Sequence, residues 1–332
     1  MGCLGLLALG FLAALAVAAV AAAAALAAFG GLRQGTAGWR YARQTEWGVD
    51  ERPDLTEVWS GGSGEIKVAR ILIRGVILLD DPGFFMESGS AASALRAIKR
   101  ASADPEVRGI ILDIDSGGGG ITASDILYKA LLDFKDREAG RIVVAQCGDV
   151  AASGAYYIAL AADRIVAHPT TLTGSIGVIM QSYNVRELAA KLGIADVTIK
   201  SGANKDLLNP FRDLSPEQER MLQGVVDALH DRFVALTAER RGLDEPAVRA
   251  LADGRVLLAG QALENRLIDQ IGYAEDAERL AAELLETDAL CVVRYEEPTG
   301  LLDLFRHRSR FGFSLRGLPG ECRTRLLYQS GF

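Results

Sequence analysis

From Glu65 to Cys147, apolar runs rich in β-branched residues take turns with stretches of helical period, and this alternation restricts the fold more than any other feature of the chain. The order is IKVARILIRGVI, AASALRAIKRA, VRGIILDID, ITASDILYKALLDF and RIVVAQC. Strands separated by helices cannot close tight hairpins, so they pair in parallel, as βαβ units around one sheet. An α/β fold is expected. Short apolar pieces, RIVAH, SIGVIM and VTIKSG, carry the strand pattern onward. Residues 215–241 read as a long amphipathic helix entered through SPEQ, a capping-box start. The C-terminal third is mainly helical, with a last strand expected at CVVRYE. An Arg-rich, irregular tail follows from about Asp303.

Ahead of this region the chain differs in kind. From Leu4 to Gly30 no side chain is charged or strongly polar. A helix needs about 20 apolar residues to cross a bilayer core, so residues 1–30 read as a single transmembrane anchor. The alternative is a cleaved signal peptide, favoured by Ala-x-Ala patterns and disfavoured by the lack of Lys or Arg before the apolar run. Arg33, Arg40 and Arg43 follow the span, and the positive-inside rule would hold that flank in the cytoplasm. Glu46, Asp50 and Glu51 offset the bias. Residues 31–64, which end in SGGSGE, bury little apolar surface and read as a linker. Residues 65–300 are then the folded domain and 301–332 the tail.

Composition removes several classes of function. The 36 Lys and Arg against 43 Asp and Glu give net charge −7, so no basic surplus exists to hold a phosphate backbone, and nucleic acid is not an expected partner. Cys3, Cys147, Cys291 and Cys322 form no CxxC pair. With only His168, His230 and His307 to join them, no metal site and no cofactor is expected. Cys147, inside the apolar run IVVAQC, reads as a small core residue.

Two small-residue segments fall at strand ends, the edge of an α/β sheet where ligands bind. DIDSGGGG, Asp113 to Gly120, can turn tightly and present bare N–H groups, suiting an oxyanion hole or a phosphate cradle. No Walker-type Lys-Ser or Lys-Thr follows, which weakens the phosphate reading. In GDVAASGAYYIALAAD, Ser153 stands where a strand passes into a helix. Its hydroxyl is either an N-cap or a nucleophile, and Ala151, Ala152, Gly154 and Ala155 leave room beside it for a substrate backbone. A serine nucleophile needs a base. His168 in RIVAHPT qualifies by type, with a structural role at a strand end as the alternative. Lys205 in KSGANKDLLNP also qualifies, since burial lowers a lysine pKa from its usual ~10.4, with a solvated surface charge as the alternative.

At these residues the chain resembles the bacterial signal peptide peptidases of the A family, serine peptidases with a Ser/Lys dyad. VAASGAYY matches the segment around the family nucleophile, LTGSIGV (Leu172 to Val178) a second motif, and SGANKD a third, over roughly Glu65 to Tyr295. The resemblance implies Ser153 as nucleophile, Lys205 as general base, Ser175 as the hydroxyl that orients the lysine, and Gly119 and Gly154 as oxyanion donors. It departs from the family at the glycine turn, where Gly117 stands in the usual place of a proline. The implied fold is Clp- and crotonase-like, a repeated β-β-α superhelical core followed by a helical C-terminal region. The implied protein sits in the cell membrane by one span, catalytic domain outside the cytoplasm, and forms homo-oligomers whose neighbouring subunits complete the dyad. Its implied substrates are remnant signal peptides and other unfolded chains. Two rival readings share the glycine turn and the fold: a crotonase-type acyl-CoA enzyme, and a membrane scaffold without turnover.

Overall fold

The computed structural model describes residues 53–79, 90–296 and 327–329. The anchor expected over residues 1–30 lies outside them. Among the described residues no helix is long and apolar enough to cross a membrane.

Eleven strands and eight helices follow one another in the described residues. β1 (Thr56–Gly61) and β2 (Ile66–Arg74) lead to α1 (Ser90–Ala103), β3 (Val107–Ser116), the short β4 (Gly118–Gly120) and α2 (Ile121–Asp136). Next come β5 (Ile142–Ala152), α3 (Gly154–Ala159), β6 (Arg164–Ala167) and β7 (Leu172–Gly174). α4 (Arg186–Lys191), α5 (Pro216–Arg241) and α6 (Glu245–Leu251) precede β8 (Val256–Leu258) and α7 (Ala259–Glu264). β9 (Gln270–Ile271), α8 (Ala274–Leu284), β10 (Leu290–Glu296) and β11 (Leu327–Gln329) complete the order.

The main sheet runs β1-β10-β2-β3-β5-β6-β9, with β7 on β5 and β8 on β7. Every pair from β10 to β9 is parallel, and antiparallel β1 closes one edge. The alternating runs of the sequence therefore fold as the α/β architecture expected of them. β1 falls within the stretch read as linker, where its own apolar content is low and the pairing with β10 supplies the order.

Successive side chains of a strand point to opposite faces. Ile110, Leu112, Val143 and Ala145 thus join α1 and α2 in the larger core, while Ile111, Ile142 and Val144 join α8 in the smaller one. Burial on both faces explains why these strands read as unbroken apolar runs. Phe134 of α2 is fully buried, with the Arg141 guanidinium 4.6 Å over its ring. Phe134→Ala leaves a ring-sized void and costs about 3–5 kcal/mol, so thermal denaturation should show Tm lower by roughly 10 °C. A shift under about 3 °C would mean that the core collapses around the gap.

α5 begins as its sequence predicts. The Ser215 hydroxyl accepts from the Gln218 amide, the Gln218 side chain answers on the Ser215 N–H, and left-handed Gly242 ends the helix.

Candidate functional site

β5 ends at Ala152 and α3 begins at Gly154, so Ser153 takes the whole turn. Its backbone sits at φ 55°, ψ −122°, a conformation costing an L residue about 1–3 kcal/mol. The turn is held from outside: the Ser153 N–H donates to the Gly174 carbonyl at 2.8 Å, and the Tyr157 N–H donates to the Ser153 carbonyl at 2.9 Å. Ser153 is 1% exposed, yet its hydroxyl caps no helix N–H and has no hydrogen-bond partner. A capping serine would be recognisable by the bond absent here. Ala151, Ala152 and Ala155 around it are buried and carry no polar group that might bond the hydroxyl.

β7 lies parallel beside β5, with Ala152 opposite Gly174. The next residue on each strand is a serine, and Ser175 repeats the left-handed turn at φ 50°. The two serines thus stand side by side at one sheet edge, about 5 Å apart in backbone by ordinary strand spacing. Ser175 is nearly buried, and its N–H donates to the Arg255 carbonyl at 2.8 Å. An open cavity of about 500 Å³ starts at Ser175 and runs past Gly177, Val178, Asp227, His230 and Gly254. The Nε2 of His230 is buried there without a partner. Nothing in the sequence singles out His230, because Asp227 and His230 one turn apart on α5 look like any polar helix face.

The glycine turn reaches the same edge, with Ser116 opposite Ala151 across β3 and β5. Despite Gly117, the turn is tied down. The Ser116 hydroxyl donates to the Gly75 carbonyl at 2.6 Å and accepts the Gly118 N–H at 3.0 Å, while Asp115 accepts the Val150 N–H at 3.2 Å. Ile77 brackets β4, donating its N–H to the Gly118 carbonyl and accepting from the Gly120 N–H. A Cβ on Gly119 would lie 2.3 Å from the Ile77 carbonyl oxygen, so no other residue fits there. Gly154, as the first residue of α3, has an amide without an intrahelical acceptor.

Lys205 lies elsewhere. It is exposed, in a turn closed by its own N–H to the Gly202 carbonyl, and among the described residues it forms no ion pair. It belongs to an arm, residues 179–214, that buries little of itself. Val197 and Ile199 are 86% and 98% exposed, and Tyr183, Leu188, Leu192 and Ile194 also face solvent. The strands expected at SIGVIM and VTIKSG do not form, because neither segment has a partner edge to pair with. Charges organise the arm instead. Arg212 spans Asp196 and Asp206, and Lys200 meets Asp206 at 2.6 Å. The Lys200 bond holds the Asp206 carboxyl below the usual carboxylate range, so it stays ionised and committed to those two cations. In the single chain, then, Ser153, Ser175, Gly119 and Gly154 come together, and the Lys205 amine makes no bond to the Ser153 hydroxyl.

His168 bonds Thr170 at 2.8 Å through Nδ1 and meets the Tyr273 ring edge-on, a structural role at the end of β6. Cys147 is fully buried, and burial pushes its thiol up to about 12, so it is an inert core residue.

Comparison with known proteins points one way. The family model described as peptidase family S49 matches residues 135–288, a span containing Ser153, Ser175 and Lys205. A candidate signal peptide peptidase SppA of Enterococcus faecium is 38% identical over 249 residues, covering 74% of this chain and 71% of that protein. Protease 4 of Salmonella typhi is 33% identical over 62% of this chain, which spans 33% of the longer protein. The chloroplastic serine protease SPPA of Arabidopsis thaliana is 30% identical over 68% of this chain and 33% of its own length.

Proposed function

The chain belongs to peptidase family S49, that of signal peptide peptidase A, and from that premise we propose that it is a membrane-anchored serine endopeptidase with a Ser153/Lys205 dyad completed between copies of the chain. The observation that carries the reading is the Ser153 hydroxyl: buried, unpartnered and held on a strained turn. Unpaired buried polar groups and left-handed non-glycine residues are costly, and they persist where chemistry uses them.

In this mechanism the uncharged Lys205 amine of a neighbouring copy enters beside Ser175, which orients it. The amine removes the Ser153 proton as the oxygen attacks the scissile carbonyl. The Gly119 and Gly154 N–H groups receive the oxyanion. The resulting ammonium then gives its proton to the leaving amine, and water, activated by the same base, releases the acyl-enzyme.

The arm supports the assembly. Apolar side chains such as Val197 and Ile199 find no core within their own chain, and the cavity at Ser175 stands open, with Asp227 and Asp253 along it to attract a cationic segment. The core fold is Clp- and crotonase-like in this reading. A span over residues 1–30 holds the domain outside the cytoplasm, and the substrates are remnant signal peptides and unfolded chains, taken into a groove walled by small residues.

A fluorophosphonate probe tests the nucleophile. The expected result is a covalent adduct on the peptide containing Ser153, found by mass spectrometry. An adduct on another serine, or none in a preparation that cleaves peptide, would overturn the assignment.

A further inference from the structure

β11 is three residues long and lies within six residues of the chain end, yet it pairs with the glycine turn. The register is antiparallel, Leu327 with Gly120, Tyr328 with Gly119 and Gln329 with Gly118. β11 also touches α3, the helix that follows Ser153. Along β4, backbone groups point alternately to the two sides. The Gly118 carbonyl and the Gly120 N–H are both taken by Ile77 on one side. The N–H and carbonyl of Gly119 therefore face the other side, toward Tyr328.

The edge that β11 occupies is the one an extended peptide would use. A sheet edge takes a peptide through main-chain hydrogen bonds, and affinity comes without demanding particular side chains. Seated there, β11 puts its own backbone against the amide assigned to the oxyanion. We infer that the C-terminal strand Leu327–Gln329 is a competitor held in cis, occupying the substrate's place on β4 until an incoming peptide displaces it. This rests on the reading of the Ser153–Gly119 edge as the cleavage site.

The contact is small, a single hydrogen-bonded residue pair flanked by two others, so it yields to substrate. Tethering compensates. A segment on the same chain acts at an effective concentration in the millimolar range, enough to raise the apparent KM by about three- to tenfold with kcat unaltered.

The full-length protein is compared with a chain lacking Leu327–Phe332 and with Tyr328→Pro, whose missing N–H removes the central pair at unchanged length. KM for an unstructured peptide substrate should fall about three- to tenfold in both with kcat constant, and free LYQSGF peptide added at millimolar concentration should restore KM competitively. Unchanged KM in both variants, or a fall in kcat instead, would overturn the inference. Cleavage is counted only where Ser153→Ala abolishes it, so a wrong nucleophile appears as persistent activity in Ser153→Ala and is distinct from a tail without effect.

Discussion

Ser153→Ala and Lys205→Ala should each lower kcat/KM for peptide cleavage by about ten thousandfold, because a dyad acts as a unit and losing either half strands the other. The two losses differ in their side effects. The Ser153 hydroxyl is buried with no partner, so alanine removes an unsatisfied polar group and inherits the same left-handed backbone. Ser153→Ala should unfold at the same temperature as the parent or a few degrees higher, up to about 1 kcal/mol more stable. Lys205 is exposed and unpaired in the single chain, so its replacement should leave monomer stability within about 0.5 kcal/mol. Lys205→Arg should be as inactive as Lys205→Ala, since a guanidinium keeps its proton. More than about 1% residual activity in Ser153→Ala or Lys205→Arg would remove that residue from the mechanism.

Mixing the two dead variants should bring activity back. If nucleophile and base come from adjacent copies, a site works when a Lys205→Ala chain supplies the serine and a Ser153→Ala chain supplies the amine. With random assembly from equal amounts, about one quarter of the sites meet that condition, so co-expressed chains should recover about a quarter of parental activity. Two inactive proteins would yield an enzyme, the largest change among these experiments. A dyad formed within one chain predicts no recovery at all, because every chain lacks one member. Activity absent from assemblies shown to contain both variants would refute a shared site while leaving Ser153 and Lys205 individually tested by the single substitutions.

Where local rules decide structure, the sequence was readable. The strands from Ile66 to Ala152 are buried on both faces, so their apolar runs are long and their βαβ order is unambiguous. Ser215 and Gln218 form a capping box because hydroxyl and amide need only their immediate neighbours. Ser153 was identifiable as a strand-to-helix residue, but its φ of 55° and its lack of a partner depend on Gly174, a residue distant in sequence. Val197–Gly202 failed as a strand for the complementary reason. β-branched content suits a strand, yet pairing requires a free edge that this chain does not offer. The short pairing of Leu327–Gln329 with the glycine turn was equally hidden, since three residues with no periodicity carry no signal. Family motifs named Gly119 and Ser175, and register explains why those two converge: β3, β5 and β7 end together.

The outlying arm has a consequence for the cell that makes this chain. A hydrolase whose proton acceptor rides on a protruding segment is inert while newly made and solitary. It switches on only as sister molecules crowd into contact. Restriction to a two-dimensional sheet of lipid would favour such encounters, so digestion begins where copies accumulate and nascent proteins elsewhere are spared.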